Sequence, residues 1–152
     1  MQYVTNLINA NNLQQADVIV LKKKLFGMVD HYAVFLGYDQ QGMPFFMANY
    51  TKGTTRITYD ELQSFLQLMD PTKIQRFNGN NYQRQEAVNR ALSRMGERNY
   101  NYLENNCEHF ANFVQHGQPY SAQAAAFKES VSTTVPILFG ALLLGALLGG
   151  QD

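Results

Sequence analysis

The stretch that most constrains this chain is Asn105-Asn106-Cys107-Glu108-His109-Phe110-Ala111-Asn112-Phe113-Val114, which holds its single cysteine. Asparagine readily accepts from the free N–H groups at a helix start. The apolar residues that follow, Cys107, Phe110, Ala111 and Val114, recur at the spacing of one helical face. Gly117 stands where glycine commonly ends a helix. The stretch therefore predicts a short capped helix with the thiol in its first turn. A thiol there feels unpaired N–H groups and the positive end of the helix dipole, which favour thiolate over thiol. Cys107 is thus a candidate nucleophile. The alternative is a buried structural cysteine, the commoner use of a lone one.

What such a helix packs on is written upstream. Asp17-Val18-Ile19-Val20-Leu21 is a β-branched run suited to a buried strand. His31-Tyr32-Ala33-Val34-Phe35-Leu36-Gly37 is a second strand. The turn residues Tyr38-Asp39-Gln40-Gln41-Gly42 lead into Pro44-Phe45-Phe46-Met47-Ala48-Asn49-Tyr50, so these two strands form an antiparallel hairpin. Thr54 to Thr58 adds a short strand. Asp60 to Met69 reads as a helix with Leu62, Phe65, Leu66 and Met69 on one face. Asp70-Pro71-Thr72 breaks it, and Ile74 to Phe77 offers an edge strand. From Gln83 to Met95 the residues Ala87, Val88, Ala91, Leu92 and Met95 again show helical spacing, with Gly96 as the stop. Residues 1–14 form a lead-in, helical or extended. The order predicts one α+β domain, a small antiparallel sheet packed with helices, over residues 15–127. A length of 152 residues leaves room for one such core and hardly for two.

A thiolate nucleophile needs a base that takes its proton and later returns it, and imidazole suits that task. The chain has three histidines. His109, two residues past Cys107 on one helix, diverges from the sulfur by roughly 200°. His116 lies about 13 Å further along the axis. His31 is left by elimination. A third group usually fixes such a ring by accepting from its other nitrogen. On the returning strand the strong polar candidate is Asn49, whose neutral amide would orient imidazolium but stabilise it less than a carboxylate. A zinc site of Cys107, His109 and His31 matches no common ligand spacing, and no cofactor is implied.

Lys+Arg and Asp+Glu both number 12, so nothing favours a nucleic-acid partner, which calls for a basic face. One cysteine cannot close an internal disulfide, and the first twelve residues lack the basic start and apolar run of a secretory signal. These features suit a cytosolic setting for the globular part. Lys22-Lys23-Lys24 is a basic run at a strand end, solvated or set against lipid headgroups. From Val135 to Gly150 there is no charged residue. With Ser130 to Thr134 this approaches the ~20 residues that cross a bilayer. Residues 128–152 are therefore expected to be a hydrophobic C-terminal membrane anchor. Ala141, Gly145 and Gly149 carry the four-residue spacing of small residues that lets two membrane helices associate as a homo-oligomer. Lys128 ahead of the segment places the domain on the cytosolic side of the membrane. The alternative is a C-terminal helix buried in a soluble oligomer.

The two motifs together resemble the lecithin:retinol acyltransferase-like family. His31-Tyr32-Ala33-Val34-Phe35-Leu36-Gly37 is similar to its H-W-A-I-Y-V-G strand, and Asn106-Cys107-Glu108-His109-Phe110 matches its N-C-E-H-F box. The resemblance covers roughly Gln15 to Gln123, with a faint Ser-x-Gln element at Ser121 and Gln123. It implies a circularly permuted papain-like fold in which histidine precedes cysteine. It also implies an acyltransferase or phospholipase that takes an acyl group from a glycerophospholipid as a thioester on Cys107, with His31 as base. The family's third member is usually a second histidine, where this chain has Asn49, or Ala48 if the gap is drawn differently. Two other readings belong to other classes: a membrane-attached interaction module that keeps the box without catalysis, and a cysteine peptidase or amidase of the parent superfamily. Tyr100, Tyr102, Phe110 and Phe113 are expected in the core.

Overall fold

The computed structural model describes residues 2–23 and 30–130. In chain order the elements are α1 (Gln2–Ala10), β1 (Val18–Lys23), β2 (His31–Tyr38), β3 (Pro44–Tyr50), β4 (Gly53–Ile57), α2 (Tyr59–Leu68), β5 (Met69–Gln75), α3 (Asn81–Ser93) and α4 (Cys107–His116). The five strands form one antiparallel sheet in the order β4-β3-β2-β1-β5. This is an α+β architecture with helices on both faces of the sheet.

The apolar runs explain the two-sided cover. Val18, Ile19, Val20 and Leu21 are all buried, so side chains on both faces of β1 leave water. Val18 and Val20 join Tyr32, Val34 and Met47 under α3 and α4. Ile19 and Leu21 join Ala33, Phe35, Phe46 and Ala48 under α1 and α2. The strand β2 pairs with β1 from Val34 back to His31. Against β3 its paired residues are Tyr38↔Pro44, Phe35↔Phe46 and Val34↔Met47. The pairing ends there, although both strands run three residues further, so the sheet opens between His31–Ala33 and Ala48–Tyr50.

Asp17, immediately before β1, ties the sheet to its surroundings. Its buried carboxylate accepts from the Arg76 guanidinium at 2.8 Å, from the Phe77 N–H at 2.9 Å and from the Gln14 N–H at 3.1 Å. Arg84 of α3 lies 3.6 Å away. One carboxylate thus joins β1 to the lead-in, to the chain after β5 and to α3.

Several elements differ from the sequence expectation. Asp70-Pro71-Thr72 does not separate a helix from a later strand, because β5 already begins at Met69 and Pro71 lies within it. An edge strand tolerates proline, and the register against β1 shifts between Val20 and Leu21 to absorb it. Leu92 and Met95 are 42% and 47% exposed, so the buried face of α3 is Ala87, Val88 and Ala91 alone. The helix α2 starts earlier than Asp60, at Tyr59, because Thr58 caps it and Glu61 closes a reciprocal capping box. Thr58→Ala should therefore cost about 1 kcal/mol in urea unfolding with the slope unchanged.

The glycine at the head of β4 faces a tight neighbour. Gly53 has φ +99°, and a Cβ there would meet the Glu97 carbonyl oxygen at 2.2 Å. The Thr54 N–H donates to that same oxygen at 2.8 Å, docking β4 on the loop that leads toward α4.

Two compact units divide the chain at residues 1–121 and 122–152. The second opens with a helical segment described over 122–130. Among the described residues no helix is long and apolar enough to cross a membrane. The apolar run at 135–148 lies outside the described residues, as do Ala141, Gly145, Gly149 and Lys24.

Candidate active site

Cys107 is the first residue of α4, and Asn106 caps the helix. The Asn106 Oδ1 accepts from the N–H groups of Glu108 at 2.9 Å and His109 at 3.0 Å. The Asn106 N–H in turn donates to His109 Nδ1 at 3.3 Å, completing a capping box. The Asn106 amide nitrogen donates to the Tyr102 carbonyl at 2.7 Å and to Ser121 Oγ at 3.3 Å. At the other end Gly117 closes α4 with φ 76°. The helix is pinned where the thiol sits, and His109 helps to hold that end.

This helix start enters the opening between β2 and β3. The Cys107 thiol lies 3.7 Å from the carbonyl oxygen of Asp30, one residue before His31. Backbone N–H groups of Tyr32, Cys107 and Glu108 point at the sulfur. Cys107 and His31 line one cavity of about 220 Å³, with Ala33, Ala48, Ile57 and Phe65 among its walls. The sequence placed these two side chains 76 positions apart and expected them to meet. They share one cavity.

The electrostatics differ from expectation. Three N–H groups do favour the anion, but Cys107 is only 4% exposed, and burial pushes the thiol up to about 11, with the Glu108 carboxylate adding to the effect. The resting sulfur is therefore a thiol at neutral pH. Its anionic fraction grows about tenfold per pH unit up to that value. Burial outweighs the helix start because a thiolate loses far more hydration than one turn of partial charge returns.

Glu108 is a residue that the sequence reasoning passed over. It is 5% exposed and accepts from the Tyr32 hydroxyl at 3.3 Å and from Ser121 Oγ at 2.5 Å. The Tyr32 phenol is held well above its ordinary range, first by burial and then by the Glu108 and Asp30 carboxylates. The box residues thus divide the work. Asn106 caps, Cys107 presents sulfur, Glu108 fastens α4 to β2 and to Ser121, and His109 completes the cap. Glu108, Asn112 and Gln115 form a polar row at helical spacing beside the apolar one, and that row was the available signal.

Asn49 stands elsewhere than expected. It is fully buried and donates from Nδ2 to the Asn105 carbonyl at 2.8 Å, just ahead of α4. Alternation along β3 puts it on the face of Met47, under α4. His31, paired with Leu21, alternates with Ala33 onto the other face. Asn49 therefore braces the cysteine helix, and its neighbours Ala48 and Tyr50 line the cavity. Of the four aromatics expected in the core, Phe110 is buried there, Tyr100 lines the cavity, Tyr102 is half-buried, and Phe113 is partly exposed under the Arg94 guanidinium at 4.3 Å. Among the described residues no group of three or more His, Cys, Asp or Glu could hold a metal ion.

The model of the lecithin retinol acyltransferase family matches residues 11–120, which include the cysteine helix, the histidine strand and Asn49. The chain belongs to that family. It is also similar to lecithin retinol acyltransferase of Rattus norvegicus, with 39% identity over 51 residues. That alignment covers 34% of this chain and 22% of the rat protein, so the likeness to this relative is local. Across the lecithin retinol acyltransferase match, the elements that bring Cys107 and His31 to one cavity all fall within the matched span.

Proposed function

We propose that this chain is a thiol-dependent acyltransferase or phospholipase. Cys107 attacks the acyl ester of a glycerophospholipid and His31 takes the thiol proton. The acyl C–O bond breaks, the lysophospholipid leaves as an alcohol on receiving that proton, and the acyl group rests as a thioester before passing to an alcohol, an amine or water. The observation that carries this reading is the shared cavity of Cys107 and His31, whose other walls are mostly apolar. An apolar wall suits an acyl chain, and His31 in the same cavity would supply the base for a thiol proton that faces the Asp30 carbonyl at rest. The Cys107 N–H, which points at the sulfur in the resting state, would turn its donation to the oxyanion as the thioester forms. Histidine ahead of cysteine agrees with a permuted papain-like domain. Its anchor is the uncharged sequence within 128–152, which would hold the domain on the cytosolic side of a membrane where the donor lies.

The deciding test uses a phospholipid with radiolabelled acyl chains. The full chain should acquire label that neutral hydroxylamine removes, and Cys107→Ser should acquire none that hydroxylamine removes. No labelling at all would overturn the reading. Deletion of 128–152 should move the protein from the membrane pellet to the supernatant. A deletion variant that stays in the pellet would refute the anchor.

A second reading rests on the depth of the sulfur. A thiol 4% exposed that ionises only near 11 also suits a membrane-attached module that keeps the box for packing. In that case an iodoacetamide-type probe would label Cys107 no faster than free cysteine.

A further inference from the structure

The cavity that Cys107 lines has a buried apolar floor. Leu21, Ala33, Ala48 and Ile57 line it and are each at most 5% exposed, because they belong to the core under α1 and α2. Phe65 of α2 packs against the same core and forms a further wall. An alkyl tail attached at the sulfur therefore lies against packed side chains. The volume sets how much fits. A protein cavity of about 150 Å³ lined by Leu, Ile and Phe takes up benzene, which has six carbons. On that scale 220 Å³ holds roughly nine.

We propose that this cavity is an acyl-chain pocket that admits a medium-length chain, about eight to ten carbons, and that Ala48 and Phe65 set its length. This rests on the proposed acyl transfer and adds to it the class of acyl group. Ala48 and Ala33 leave space that larger side chains would fill, one on each strand of the opened pair. Phe65 is partly exposed, so its ring can be shortened without opening the centre of the core. Cys107 lines the pocket, so an acyl group bonded to its sulfur has this space for its alkyl tail.

Two measurements on the full chain in detergent test this separately from the chemistry. The first is acylation of Cys107 by p-nitrophenyl esters from acetyl to palmitoyl. Each rate is divided by that of free cysteine in the same detergent, which removes micelle partition. Relative rates should climb roughly fourfold per methylene, then stop rising at about eight to ten carbons. Ala48→Leu should move that break to shorter chains, and Phe65→Ala should move it to longer ones. The second is binding of saturated fatty acids of the same lengths by Cys107→Ser, where the same break should appear without acyl transfer.

A break in binding with no acylation in the native chain would sink the proposed reaction and leave the pocket standing. A profile that rises steadily to palmitoyl, or is flat, would overturn the pocket whether or not acylation occurs. So would a break that neither variant moves while both remain folded by circular dichroism.

Discussion

His31→Ala is expected to slow acylation of Cys107 by on the order of 10⁴-fold at pH 7. With burial holding the thiol near 11, only about one molecule in 10⁴ carries thiolate at that pH. On the proposed reaction, the imidazole in the same cavity would remove the proton as the carbon–sulfur bond forms, so the native protein would not wait for free thiolate. Without it the reaction depends on that minor anion. The sign of the pH response follows. The variant should gain about tenfold per pH unit from 7 toward 11, while the native protein should depend on pH less steeply over that range. The pH profile of acyl-enzyme formation by both proteins is the measurement. His31→Ala within tenfold of the native rate at pH 7 would remove His31 from the role of base.

The second large effect concerns stability. Asp17→Ala removes a buried acceptor that serves Arg76, the Phe77 N–H and the Gln14 N–H. Arg84, whose side chain is 15% exposed, is left without its nearest anion. Breaking a buried pair from one side typically costs ~3–5 kcal/mol. The lower end applies here, because the Arg76 side chain is half exposed and can turn to water. We expect a loss of about 3 kcal/mol, which for a chain of this size lowers Tm by roughly 10 °C. Thermal unfolding followed by circular dichroism reads it directly. A fall of under about 3 °C would mean that the carboxylate tether is unimportant.

The sequence showed most where a local pattern and the tertiary surroundings agree. Pro44–Tyr50 is found as the returning strand with the residues expected, because its β-formers, its turn and its burial all point one way. Cys107 opens its helix for the same reason, since Asn106 and Gly117 mark both ends. The pattern misled where the surroundings decide. Asp70-Pro71-Thr72 carries every sign of a breaker, yet the free edge of β1 recruits it into β5. Leu92 and Met95 have the right spacing, but α3 ends at Ser93 and both side chains are exposed.

The site itself divides in the same way. Cys107 and His31 could be paired by elimination among three histidines. The side of the sheet that each presents depends on strand register, and register is a property of two strands at once. This is why Asn49, one position from the cavity-lining Ala48, came out on the opposite face. The ionisation of the sulfur was out of reach for a related reason. The helix start is written in six residues, whereas the desolvation that outweighs it comes from the whole wall of strands and helices around the site.

The unzipped end of the β2–β3 ladder has a cost that the cavity makes intelligible. The Tyr32 N–H, left over where pairing stops, is aimed at sulfur, and the gap admits the start of α4. A variant that zipped those strands together would gain ladder bonds and lose the place where the Tyr32 N–H meets the sulfur. On the proposed reaction, closing this seam should therefore raise stability and abolish acylation together.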